Sequence, residues 1–210
     1  MWYAKKYGAY SRDSVEAKAN AEEIYTVLAG QGWTVNAVSA LLGNFGYEGG
    51  YNPWRWESDD VLNYGDPAIS TSYSHGYGLA QFTPAGKYID DSRAQAFPGY
   101  GPNYNNQQGS LTDGNAQILF IDGYADYYST SAYPLTFSEF KRSDETPEYL
   151  AAAWVYNYER PADPAATIAG RQQEARYWYD YLGGVTPGIN ILFIKKKRTH
   201  NLRPKWIPIT

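Results

Sequence analysis

Apolar residues along this chain recur mostly at three- and four-residue steps, the period of helices with one buried face. The clearest case is 35 to 45, where Val35, Val38, Leu41, Leu42 and Phe45 follow Thr34, a good N-cap residue. The spacing predicts a helix to about Tyr47, broken by Gly49-Gly50. Upstream, Asp13-Ser-Val-Glu16 has capping-box spacing with Asp13 as the cap. Ala17, Ala21, Ile24 and Leu28 then form the buried face of a first helix ending near Gly30, and the short link to Thr34 makes the two helices neighbours. Farther on, Asp113 precedes a helix with Ile118, Ile121, Ala125 and Tyr128 on one face. Thr136 and Glu139 form another capping box. Thr146-Pro147 opens a helix that turns Leu150, Ala153 and Trp154 inward. A last helix from about Pro164 carries Ile168, Gln172, Ala175, Trp178 and Leu182 and stops at Gly183-Gly184.

Between these patterns lie turn-rich stretches. Residues 49 to 76 are aromatic and hold Glu57, Asp59, Asp60 and Asp66; a loop of that length is expected to bind something or to act as a lid. Tyr77 to Pro84 is short, apolar and marked by glycine, and leads into a short helix from Pro84 to Asp91. Residues 97 to 112 read as exposed loop. The organisation is therefore a lead-in (1–12), a mainly α domain (13–182) with long aromatic loops, and a linker with an extended C-terminal arm (183–210). The arm runs from apolar Ile191-Leu-Phe-Ile194 through Lys195-Lys-Lys-Arg198 to Trp206-Ile-Pro-Ile. It can be read as a disordered basic tail, but its apolar ends call for a partner.

Composition narrows the chemistry. The 210 residues are 43% hydrophobic, enough for a core, with no apolar run near eighteen residues. The absence of Cys excludes disulfides, thiol catalysis and cysteine-ligated zinc. His75 and His200 are the two histidines and are far apart, so no metal and no cofactor is expected. A net charge of −4 is too mild to assign a partner, and neither a nucleic-acid nor a membrane partner is expected. The 22 Tyr and 7 Trp suit stacking on sugar rings or packing at interfaces. No apolar segment follows Met1-Trp-Tyr-Ala-Lys-Lys, so no secretory leader is visible.

Glu48 is the leading candidate for chemistry. It falls at the end of the buried second helix, beside Tyr47 and before Tyr51, Trp54 and Trp56. The negative helix terminus and partial desolvation both disfavour a charged carboxylate there, as a general acid for glycosidic cleavage requires. Taken alone, the same residue reads as a surface glutamate near a helix end.

Three segments in order supply context: Leu42-Gly-Asn-Phe45 with Glu48-Gly-Gly and Asn52-Pro53, then Tyr77-Gly-Leu-Ala-Gln-Phe-Thr-Pro84, then Tyr158-Glu-Arg-Pro161. Together they resemble the phage tail lysins, lysozyme-like and lytic-transglycosylase-like enzymes carried on tails of phages that infect Gram-positive bacteria. The resemblance covers about 14 to 182 and leaves the arm outside. It implies a lysozyme-like helical fold and cleavage of the β-1,4 bond between N-acetylmuramic acid and N-acetylglucosamine, with Glu48 as acid. It also implies a virion-tail location, with peptidoglycan glycan strands as the partner and other tail proteins met through the arm. Gln81 can both donate to and accept from a sugar, or brace its own loop. Trp54, Trp56, Tyr77 and Tyr158 are candidates for sugar contact, with core packing as the plainer role. A second carboxylate would be Glu57, Asp59, Asp60, Asp66 or Glu159; Glu159 also reads as an ion pair with Arg160. Without a second carboxylate in range, the substrate's own N-acetyl group or 6-hydroxyl can substitute, and the enzyme could be a transglycosylase. A sugar-binding or structural tail protein without chemistry is the reading from a different class.

Overall fold

The computed structural model describes residues 1–57, 75–103 and 108–183. Among these the secondary structure is helical, apart from isolated β-bridges of Tyr77 to Trp56 and to Phe82. Helix α1 (Val15–Gly30) begins one residue later than the capping-box spacing predicts. Ser14 is the N-cap and accepts from Ala17 N. Asp13 instead accepts from the Tyr177 hydroxyl at 2.9 Å. The serine is closer to the first turn in sequence, so its shorter side chain closes the cap that Asp13 would otherwise reach. The expected face, Ala17, Ala21, Ile24 and Leu28, is fully buried. Helix α2 (Val35–Tyr47) begins at Thr34, which accepts from Ala37 N. Its buried run extends from Ala37 to Phe45 without a polar face, because other helices enclose it on several sides.

The helix expected over 84–91 is a single turn, α3 (Gly86–Ile89), and a second turn, α4 (Ser92–Gln95), follows it. Helix α5 (Asp113–Tyr124) is shorter than its apolar pattern. Ile118 and Ile121 are buried, whereas Tyr128 lies beyond the helix and is exposed. Helix α6 (Phe137–Arg142) carries the full Thr136–Glu139 capping box. Helix α7 (Pro147–Trp154) is capped by Thr146 and buries Leu150, Ala153 and Trp154. It runs into a π-helical turn, Val155–Glu159. Helix α8 (Ala165–Leu182) closes the unit, and Leu182 is fully buried.

The core forms where α2 packs against α7 and α8, with α1 against α5 on the other side. Trp154 and Trp178 are the largest fully buried side chains, and burying residues of this size contributes roughly 2–3 kcal/mol each. The lead-in is packed too. Trp2 is buried with its indole donating to Asn115, and Arg12 pairs with Glu174 of α8 at 2.6 Å. No helix among the described residues is long and apolar enough to cross a membrane. Asp59, Asp60, Asp66 and the arm from 184 onward lie outside the described residues.

Candidate active site

Glu48 is the C-cap of α2, its N–H still donating to Asn44 O at 3.1 Å. The next residue shows why the helix must stop in glycine. A Cβ on Gly49 would lie 2.3 Å from Gly78 O and 2.8 Å from the Leu79 Cα, so only glycine lets the 77–82 segment come this close. Gly49 N donates to Leu79 O at 3.2 Å, and Gly50 then turns at φ 54°.

The 77–82 segment is a tight turn in which Phe82 N donates to Tyr77 O at 2.9 Å. Gln117 accepts from Leu79 N at 2.8 Å and holds it from the α5 side. Gln81 sits in the left-handed region at φ 45°, and its amide nitrogen donates to Gly78 O (2.8 Å) and Arg55 O (3.2 Å). The side chain therefore braces the turn while it lines the cleft beside Glu48.

The third wall comes from the π-helical turn. Arg160 N reaches back to Val155 O at 2.8 Å, and Arg160 ends the turn at φ 50°. An extra residue per turn re-aims the side chains that follow, which is why such turns recur at functional sites. Tyr158 stacks on Trp154 at 4.3 Å, and the Trp154 indole donates to Glu159 Oε1 at 2.9 Å. Asn157, fully buried, fastens the turn by donating to the Tyr127 hydroxyl and Tyr133 O.

These walls enclose a cleft of about 640 Å³ that brings together Glu48, Gln81, Tyr158 and Glu159. Its charges are unequal. Arg171 on α8 donates to Glu48 Oε1 at 2.6 Å, putting a positive charge on a carboxyl that sequence reasoning had left alone at the helix end. Loss of water, then the nearby Glu48 charge, push the Glu159 carboxyl well above the usual carboxylate range; the Trp154 hydrogen bond and the Arg171 charge oppose this. Asp126, also on the cleft, is held below its usual range by hydrogen bonds from Tyr128 and Arg160. The cleft thus carries carboxyls driven in opposite directions, the arrangement from which acid and base roles are made.

The other sequence candidates fall elsewhere. Tyr77 is fully buried, its hydroxyl donating to Asp113 at 3.2 Å, and Trp56 lies 4.9 Å from it with its indole on Asn103 O. Trp54 is buried as well. All three rings are packed against protein and none lines this cleft. Glu57 is exposed, accepts from Gly76 N at 2.8 Å and does not line the cleft. Arg160 pairs with Asp126 at 2.8 Å and not with Glu159, whose Oε1 accepts from the Trp154 indole instead. Arg171 and Asp126 went unnoticed in the sequence. A signal existed for Arg171, which shares the stripe of Ala175, Trp178 and Leu182.

A family model for phage tail lysozymes matches residues 19–182. Among curated proteins, morphogenesis protein 1 of Bacillus phage B103 is 32% identical over 187 residues, covering 88% of this chain. This chain spans 44% of that protein's length.

Proposed function

The chain belongs to the phage tail lysozyme family, and on that footing we propose that it is a tail-associated enzyme that cuts peptidoglycan, hydrolysing the β-1,4 bond between N-acetylmuramic acid and N-acetylglucosamine. One observation carries the reading: Glu48 and Glu159 line the same cleft, and the Glu48 charge acts on Glu159. Loss of water and the Glu48 charge let Glu159 keep its proton at a pH where an isolated glutamate has lost it. Glu48, at the helix end, is the general acid that protonates the leaving oxygen as the sugar gains oxocarbenium character. Glu159 is the second carboxyl of the cleft. Tyr158 offers a ring edge to the sugar, and Gln81 keeps the facing turn in place. A binding protein without chemistry would gain nothing from a desolvated carboxyl, Glu159, beside a second one in the same cleft, because burying such a group is costly. The arm beyond 183, outside the described residues, is proposed to hold this domain to other tail proteins.

The test is Glu48→Gln, which keeps shape but cannot give a proton. Activity on Gram-positive cell walls is expected to fall about 10² to 10⁴-fold with the circular dichroism spectrum unchanged. Full activity in this variant would remove the assignment. Mass spectrometry of the products is expected to show reducing muramyl ends; 1,6-anhydro ends would make the enzyme a transglycosylase.

A further inference from the structure

Arg171 is a nearly buried arginine, 5% exposed, on the face of α8 that packs on α2. Its two terminal nitrogens diverge onto α2. Nη1 donates to Asn44 Oδ1 at 3.0 Å, and Nη2 donates to Glu48 Oε1 at 2.6 Å. Asn44 is itself fixed, donating from Nδ2 to Ala40 O (2.9 Å) and Ala151 O (3.3 Å), so the anchor joins α2, α7 and α8. The guanidinium also lies over the Tyr47 ring at 5.2 Å. Arg171 does not line the cleft, whereas Glu48 does. An arginine buried behind a cleft carboxylate and hydrogen-bonded in a fixed fork is preorganised to hold that carboxylate in one place.

We infer that Arg171 is a positioning residue: its fork clamps the Glu48 carboxyl at the end of α2, and its charge sets the pH range over which Glu159, the other carboxyl of the pair, keeps its proton. This rests on the reading that Glu48 performs the chemistry. The other charges around the pair are Arg55, which donates to Glu48 O, Lys87, and two exposed pairs, Arg160–Asp126 and Arg93–Asp91. The phenols of Tyr47 and Tyr158 complete the surroundings. Each exposed pair largely cancels itself and is screened by water. Arg171 stands apart as the buried cation bonded to the pair's own carboxylate.

The sign follows from charge. The Arg171 charge favours loss of the Glu159 proton, so replacing Arg171 with a neutral residue makes that proton harder to lose. Activity that needs protonated Glu159 then persists to higher pH. The experiment measures kcat and KM against pH on solubilised, peptide-bearing glycan strands for wild type, Arg171→Gln, Arg171→Lys and the Glu48→Gln control. Arg171→Gln is expected to lose about 10²-fold in kcat, as for a reacting group misplaced by roughly 1 Å. Its alkaline limb should move up by about one pH unit. Arg171→Lys keeps the charge but not the fork, so its kcat should fall while its alkaline limb stays in place. KM should change little in both. An unshifted limb in Arg171→Gln, or a raised KM with kcat intact, overturns the inference. If Arg171→Gln does not fold, Arg171→Lys decides: wild-type kcat in that variant overturns the clamp. Full activity of Glu48→Gln would instead remove the functional reading itself.

Discussion

Gly43 lies where α2 and α8 approach closely, and the methyl group of an alanine there would sit 2.6 Å from Arg171 O, 2.8 Å from Ala175 N and 2.9 Å from Ala175 Cβ. The first two are backbone atoms, so no rotamer change relieves the contact and the helices must separate. Extra volume in a packed core costs about 1–3 kcal/mol. Alanine is the better helix former and returns about 0.5–1 kcal/mol in a helix interior. Gly43→Ala is therefore expected to destabilise by about 1–2 kcal/mol net. Gly123 of α5 provides the control, since a Cβ there meets nothing within 4 Å. Gly123→Ala should leave stability unchanged or raise it by up to about 1 kcal/mol. Urea unfolding measures both, and in a domain of this size each kcal/mol corresponds to about 2–4 °C in melting temperature. If Gly43→Ala proves as stable as Gly123→Ala, the close helix crossing that places Arg171 behind Glu48 is wrong.

Two further outcomes can be checked directly. Asp113 is fully buried and accepts from the Tyr88 hydroxyl (2.7 Å), Gln117 Nε2 (2.7 Å), Gly101 N (3.0 Å) and the Tyr77 hydroxyl (3.2 Å), so Asp113→Ala strands several donors and should cost about 3 kcal/mol or more in urea unfolding. A chain ending at Gly183 should keep wall-cutting activity while failing to co-purify with phage tails; loss of activity on soluble substrate would place the arm within the catalytic unit.

The helices were legible because their signals are local. Thr34, Thr136 and Thr146 each cap the helix they were expected to cap, and the apolar stripes of α1, α2 and α7 are buried. Glu48 was legible for the same reason, since a glutamate followed by Gly49-Gly50 marks a helix end within a few residues. The cleft was less so. Glu159 faces it because a π-helical turn inserts a residue into the register, and nothing in Val155 to Glu159 distinguishes that turn from ordinary helix in the sequence. The Arg171–Glu48 bond joins positions 123 residues apart, beyond the reach of any spacing rule. The aromatics misled for a physical reason. A ring has the same amphipathic character whether it stacks on a sugar or, like Tyr77, sits in the core with its hydroxyl satisfied by Asp113.

The electrostatic strain on Glu159 should also appear in stability, separately from catalysis. Its folded pKa is raised above the ordinary glutamate value of 4.5, so the folded protein holds this proton more tightly than the unfolded chain does. Stability then falls as pH rises from that ordinary value up to the raised folded one, and levels off beyond it. Glutamine at 159 cannot ionise, yet its carbonyl oxygen can still accept from the Trp154 indole as Glu159 Oε1 does. Glu159→Gln should therefore match wild type in melting temperature near pH 4.5 and exceed it increasingly toward alkaline pH, while wall-cutting activity drops. Part of the strain comes from the Glu48 charge, so in a Glu48→Gln background the same substitution should gain less, which a double-mutant cycle measures. A stability difference that does not change with pH would mean that Glu159 is an ordinary, well-solvated carboxylate. A difference that survives unchanged without Glu48 would mean that the Glu48 charge does not act on Glu159, and the electrostatic coupling across the cleft would be wrong.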